Sequence, residues 1–412
     1  MNEAKPEFPG GLRGWIAVLV MLSSAPSLAL MFSATSPVLT TIARHFAPAG
    51  APVRIPLIGI GLEGSFYAQL MAVLPSVGLM LGSAPAGIAI DRFGARRVLI
   101  GGAVAFAILG SAGLYIDSAL LLLASRFVLG FAAMPHAAAT IWLIGTRFDD
   151  VARARALSAR NMAAGITGVA AVGAAGQLAQ AHGWHAPFGM FLGVLAVIPF
   201  ALASLPATPP AASARTGAAG SLRHLWPLYG VMLVLSIVMM MNSTQLPFLL
   251  AANGITTPIA QSHVMIVGTT MTIPGSLAYA VLGARLGSRR NFSIIALALG
   301  TGILTIGLSS TPLLLALGAG LSGFGSGMLV PHFIRLVLDR APGAIRGRAI
   351  GFAFVSVYLG DLLNPFAIHP ITEVLGIRET FMTIGGLTLA SALQILLPRG
   401  APAAMREQGA GG

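Results

Sequence analysis

A chain of 412 residues that is 56% hydrophobic and only 9% charged is not a soluble globule. A soluble domain carries about a quarter charged residues, so the bilayer is the expected solvent. The net charge of +12 then reports where basic residues stand relative to a membrane and leaves a nucleic-acid partner unsupported, and the absence of cysteine removes disulfide and thiolate chemistry.

Lys5 and Arg13 precede an apolar run from Trp15 to Pro37, which is too long for a signal-peptide core and reads as an uncleaved first span. In chain order the apolar spans fall at about 14–40, 62–88, 98–116, 119–145, 157–180, 186–205, 225–250, 262–283, 292–309, 312–336, 350–372 and 380–398. Between the sixth and seventh lies "PATPPAASARTGAAGSLRH" (206–224), polar and rich in Pro, Ala and Ser. The expected organisation is a tail at 1–13, a six-helix bundle at 14–205, a linker at 206–224, a second six-helix bundle at 225–398 and a tail at 399–412. The fold class is all-α: a membrane protein of twelve transmembrane helices in two pseudo-symmetric bundles. With both termini cytoplasmic, all but four of the 24 Lys and Arg lie at or near the inner side. The exceptions are Arg44, Arg54 and Arg378 outside, and Arg126 within the fourth span.

The two halves repeat. A shift of 193 residues lays "DRFGARR" (91–97) on "ARLGSRR" (284–290) and "ARARAL" (152–157) on "IRGRAI" (345–350). The same shift pairs Gly183 with Gly376, Phe188 with Phe381 and Gly193 with Gly386. The first span matches the seventh at a larger offset, Pro37 with Pro247, so the first external loop is the longer one. Parallel repeats related by an axis along the membrane normal belong to one large class of secondary transporters.

"GIAIDRFGARR" (87–97) resembles the signature of the major facilitator superfamily between its second and third spans. "RFVLG" (126–130) resembles a second motif of that family, and "HGWHAPF" (182–188) its usual entry to span six, with His185 where Arg is common. The resemblance covers essentially the whole chain and is nearest in look to bacterial drug- and sugar-efflux members. It implies a gate at a cytoplasmic turn made of Gly87, Asp91, Arg92, Gly94, Arg96 and Arg97, with Asp91 capping the eleventh helix in the outward-open state. Arg92 is placed to pair with Asp149 or Asp150; the alternative is that these charges only set topology and stay solvated. It implies a role for Arg126 in proton coupling or anion binding, and a central cavity lined by spans one, four, seven and ten. One departure stands out in span five, "GITGVAAVGAAGQ" (165–177): Val172 occupies the place of the proline usual in efflux antiporters.

Read from the residues alone, Asp361 lies ten residues into span eleven, about 15 Å along the axis and near mid-bilayer. Tyr358 and Asn364 share its face. A carboxylate there is costly when charged, which suits reversible protonation and marks a transport pathway; the alternative is a structural hydrogen bond to a neighbouring helix. Arg126 either points inward above a face of small residues or snorkels outward towards Asp117 or Glu63. Cargo-cavity candidates are Ser33, Thr35, Ser36, His136, Thr140, Asn242, Thr244, Gln245, His332, Tyr358 and Asn364, with helix packing as their alternative. Glu63 reads as surface.

There is no phosphate-binding loop, no H-E-x-x-H and no cysteine–histidine ligand cluster. The expectation is a transporter and not an enzyme, without cofactor or metal, driven by protons or another coupling ion. A small-molecule substrate and the lipid bilayer are its partners, nucleic acid is not, and it acts as a monomer. Proton-linked export of a drug, metabolite or sugar across a bacterial inner membrane is the most concrete reading. Uptake of a small solute or anion is the alternative, and a non-transporting sensor or assembly factor the remote one.

Overall fold

The computed structural model describes residues 11–55, 60–206, 221–341 and 345–396. Most of the linker expected at 206–224, most of the tail at 1–13 and all of the tail at 399–412 lie outside the described residues. Helices α1 to α12 are, in chain order, Leu12–Phe46, Gly64–Phe93, Ala95–Gly110, Ala119–Arg147, Asp150–His182, Ala186–Ser204, Trp226–Thr244, Pro258–Gly283, Arg285–Leu308, Pro312–Arg340, Arg346–Leu375 and Ile377–Leu396. Among the described residues, 11 helical segments are long and apolar enough to cross a membrane. The last helix, with 20 residues, matches them in length. A short helix, Leu246–Ala252, continues α7.

Several helices overrun the apolar spans. α5 starts at Asp150, not at 157, because Asp149 caps it: its Oδ1 accepts from the Ala152 N–H at 2.8 Å. Such a cap satisfies a donor that the helix start leaves orphaned. The long first loop also holds an antiparallel hairpin, β1 (Val53–Ile55) with β2 (Ile60–Leu62), that apolar periodicity gave no sign of. It marks one end of the molecule, here the hairpin end; the opposite end, carrying residues 87–97, is the motif end.

The repeat is visible in the closest helix contacts. A Cβ on Gly130 of α4 would meet the Pro75 carbonyl oxygen of α2 at 1.9 Å, and a Cβ on Gly323 of α10 would meet that of Gly268 of α8 at 2.0 Å. Gly82 against Phe131 is matched by Gly275 against Phe324. All four pairs obey the offset of 193 residues. Backbones this close leave no room for a side chain, and small residues allow that approach without a hydrophobic driving force. The turns obey the offset too: Gly94 (φ 82°) and Gly287 (φ 72°) take the left-handed conformation, as do Gly183 (φ 86°) and Gly376 (φ 93°).

The apolar packing shows where the halves meet. Val172 of α5 packs with Met241, Met265 and Ile368 of the second half, and Phe248 packs onto the Leu39 and Tyr67 cluster of the first. Both contacts lie towards the hairpin end. Towards the motif end, one cluster around Ile90, Leu99 and Leu143 belongs to the first half and another around Leu225, Met328 and Phe333 to the second.

Candidate functional site

The richest polar seam between the halves runs where α2 faces α11. Asp361 is 3% exposed. Its Oδ2 accepts from Ser76 Oγ at 3.4 Å, and its Oδ1 has no hydrogen-bond partner among the described residues. One helical turn nearer the hairpin end, Asn364 Oδ1 accepts from Thr244 Oγ1 at 2.7 Å and from Gln245 Nε2 at 3.4 Å, while its Nδ2 donates to the Ile237 carbonyl. Gln245 and Gln69 exchange amide bonds across the halves at 2.9 and 3.1 Å. Thr40 of α1 donates to Gln261 of α8 at 3.3 Å. At the rim, Glu63 meets His369 at 3.2 Å, and Phe66 packs edge-on against Phe366. These bonds close the hairpin end from the membrane centre outward. A Cβ on Gly87, Gly347 or Gly351 would meet open space at the motif end.

On the other side of the interface, where α5 faces α8, lies a cavity lined by Ser33, Ser36, Val172, Asn242, Ser243 and Thr269 among others. Its volume of about 40 Å³ holds a water or two, whereas ligand pockets span roughly 300–1,000 Å³. Asn242 donates to Ser322 Oγ at 2.5 Å and keeps an unpartnered Oδ1. Thr35 is buried but does not line this cavity. Tyr358 packs against clusters of both halves.

Other candidates turn away from the interface. Arg126 is 1% exposed inside the first bundle, far from partnership with Asp361. Its Nη2 donates to the carbonyls of Leu109 (2.7 Å) and Gly110 (3.0 Å), and its guanidinium lies 5.0 Å from the Phe188 ring and 5.7 Å from Phe191. A cation on the last carbonyls of α3 offsets the negative end of that helix. Of the two expected placements Arg126 takes the inward one, held to the end of α3 and not reaching Asp117, which pairs with His45 at 2.6 Å. His136 is tied to the Leu99 carbonyl and to Ser23 within the same bundle. His332 is buried, and neither ring nitrogen has a hydrogen-bond partner among the described residues. It lies 5.7 Å from the Tyr279 ring between α8 and α10, inside the second bundle. Thr140 bonds Ser24 at 2.5 Å, and Ser24 accepts from Arg160 Nε and Nη2 at 3.2 and 3.1 Å. Arg160 lies within electrostatic reach of Tyr358 across the interface. Sequence reading missed Arg160, Ser76, Gln69 and the partner of Glu63.

At the motif end Asp91 is half-buried and makes no hydrogen bond or ion pair among the described residues, so it does not cap α11 in this conformation. Arg92 lies over its neighbour Phe93 instead of pairing with Asp149, whose carboxylate is taken by the helix cap. The Asp150 side chain lies outside the described ones. Arg96 donates to the Leu202 carbonyl at 2.8 Å, tying the turn to α6, and Arg97 is exposed. At the opposite end His185 stacks on Trp184 and donates from Nδ1 to the Gly113 carbonyl at 2.9 Å; burial and then nearby His45 push its pKa down.

Comparison with known proteins places this geometry. The sequence model described as "Major Facilitator Superfamily" matches twice, over residues 21–252 and 228–412. A curated relative, multidrug efflux pump Tap of Mycolicibacterium fortuitum, is 28% identical over 127 residues, which cover 30% of this chain and 31% of that protein. The chain thus aligns with under a third of that relative's length. Among solved structures, a peptide transporter POT in complex with alafosfalin has a TM-score of 0.72 at 16% identity, covering 95% of each chain. Nucleoside transporter NupG (TM-score 0.66, 17% identity, 92% of this chain and 98% of that one) and the human organic anion transporter MFSD10 (0.67, 17%, 92% and 99%) share the fold.

Proposed function

We propose, for a chain that belongs to the Major Facilitator Superfamily and is a membrane transporter, not an enzyme, that it exports a small organic compound in exchange for protons. The observation that carries this reading is Asp361, a buried carboxylate with one oxygen unbonded, at the seam where the halves separate. Charged, it costs several kcal/mol unless bonded; neutral, it sheds that cost. Proton binding therefore biases the equilibrium between two arrangements of the bundles. With the N-terminus in the cytoplasm of a bacterial cell, the motif end is cytoplasmic, and this conformation is closed to the outside. Cargo enters as the halves part around Ser33, Ser36 and Asn242, and Asp91 then caps α11 when the motif end closes. The aligned segment of the efflux pump supports the direction, whereas Val172 in α5 does not.

One observation favours a second reading, import of an organic anion. Arg160, held by Ser24 and near Tyr358, is the cation at the interface that Arg126 is not. Everted vesicles loaded with a pH-sensitive dye separate the two. Export predicts compounds that dissipate an imposed proton gradient in vesicles containing the protein and not in empty ones. Accumulation of organic anions by whole cells, with no compound dissipating the gradient, overturns it.

A further inference from the structure

The rim contact at the hairpin end contains more than an ion pair. Glu63, at the start of α2, and His369 and Glu373, one turn apart on α11, bring three donor atoms within 4.8 Å of one another. His369 Nε2 stands 3.2 Å from Glu63 Oε2 and 3.5 Å from Glu373 Oε1. Two donors bound tetrahedrally to one zinc ion at ~2.0–2.1 Å are about 3.3–3.4 Å apart, so both separations already match the edges of a zinc polyhedron. The parts are oriented for this. Ser65 donates to Glu63 Oε1 at 2.5 Å and leaves Oε2 for the ion. The Phe66 ring lies 4.9 Å from the imidazole at 32°, which fixes its plane. His369 and Glu373 are i, i+4 on one helix face, a spacing that lets both reach one ion. His369 is 14% exposed, while Glu63 and Glu373 are 55% and 61% exposed, so an ion has access and water supplies a fourth ligand.

We propose that Glu63, His369 and Glu373 form a Zn²⁺ site that bridges the two halves and clamps the hairpin end shut. Glu63 comes from one half and the other two ligands from the other, so the full ligand set exists only while this end is closed. An ion that binds one of two conformations shifts the population towards it and slows the cycle. This holds whichever direction cargo moves and whatever ion is coupled.

The test is titration of ZnCl2 into the untagged full chain in detergent, followed by isothermal calorimetry, with MgCl2 as the hard-cation control. One Zn²⁺ per chain is expected. His369→Ala abolishes the binding, and Glu63→Gln and Glu373→Gln each weaken it about tenfold or more. Unfolding temperatures in EDTA equal to wild type show that these surface variants are folded. Zinc affinity unchanged in His369→Ala overturns the site; affinity unchanged in Glu63→Gln overturns the bridge. In proteoliposomes Zn²⁺ slows solute exchange by wild type and not by His369→Ala, and equal inhibition of both overturns the clamp.

Discussion

The two halves meet along two seams that are the same seam twice. The offset of 193 residues carries Gln69, Ser76, Asp361 and His369 of the α2–α11 contact onto Ser262, Thr269, Gly168 and Gly176 of the α8–α5 contact. The geometry is shared and the chemistry is not. At α5–α8 a Cβ on Gly176 would sit 2.2 Å from Ser262 Oγ, and one on Gly168 would touch Thr269 at 3.4 Å. That seam is lined by glycines of α5, facing Ser262 and Thr269 at these positions and Ile266 and Ile273 between and beyond them, and serves close approach. At α2–α11 the equivalent positions carry an acid, a histidine and an amide, so the group able to change charge lies on one seam alone. Duplication supplies a symmetric frame, and the two copies place different chemistry on it.

The largest expected effect tests whether burial or bonding distinguishes a structural charge from a working one. Arg126→Ala removes two charge-assisted hydrogen bonds to the end of α3 and a buried side chain, and loses about 3 kcal/mol or more of stability, read as a lower unfolding temperature in detergent. Asp361→Asn removes a buried charge with a single long bond and leaves that temperature unchanged or raised. Equal losses in both would erase the distinction.

Next, Gly176→Leu wedges the tight seam apart. Overpacking costs about 1–3 kcal/mol, which moves the equilibrium towards opening at the hairpin end by roughly fivefold or more. Spin labels on Ala51→Cys and Ser310→Cys, placed in a chain without native cysteine, report the change as a longer distance. The frame itself is probed by Gly130→Ala and Gly323→Ala. Each drives a Cβ into a backbone carbonyl at the same place in its bundle, so their stability losses agree to within about 1 kcal/mol. The smallest effect comes from Gln69→Leu, which removes the amide exchange with Gln245; about 1 kcal/mol, roughly fivefold in population, should appear with the same spin labels.

Much of the frame was legible in the sequence because span length, arginine placement and the repeat are properties of one strand of text. The polar stripe of Tyr358, Asp361 and Asn364 was legible for the same reason: three residues apart on one helix means one face. What a face looks at is set by another helix. Ser76 and Gln69 gave no signal on α2, and Glu63, a surface residue as read, gave no sign of its partner His369, about three hundred residues away. The partners of Arg126 were hidden for a physical reason. Its acceptors are backbone carbonyls at the end of α3, and carbonyls belong to every residue, so no side-chain pattern announces them. The side that His332 faces was hidden because a helix in a bundle has two protein-facing sides, and spacing does not say which one meets the other half.

The central claim is that Asp361 carries the proton that drives transport. Its most direct test reconstitutes wild type and Asp361→Asn, imposes a pH gradient on the vesicles, and follows both gradient-driven cargo movement and cargo exchange at equal pH. Driven movement is predicted to fall to the level of empty vesicles in Asp361→Asn while exchange continues at a rate near wild type. Driven movement at the wild-type rate in Asp361→Asn would contradict the claim.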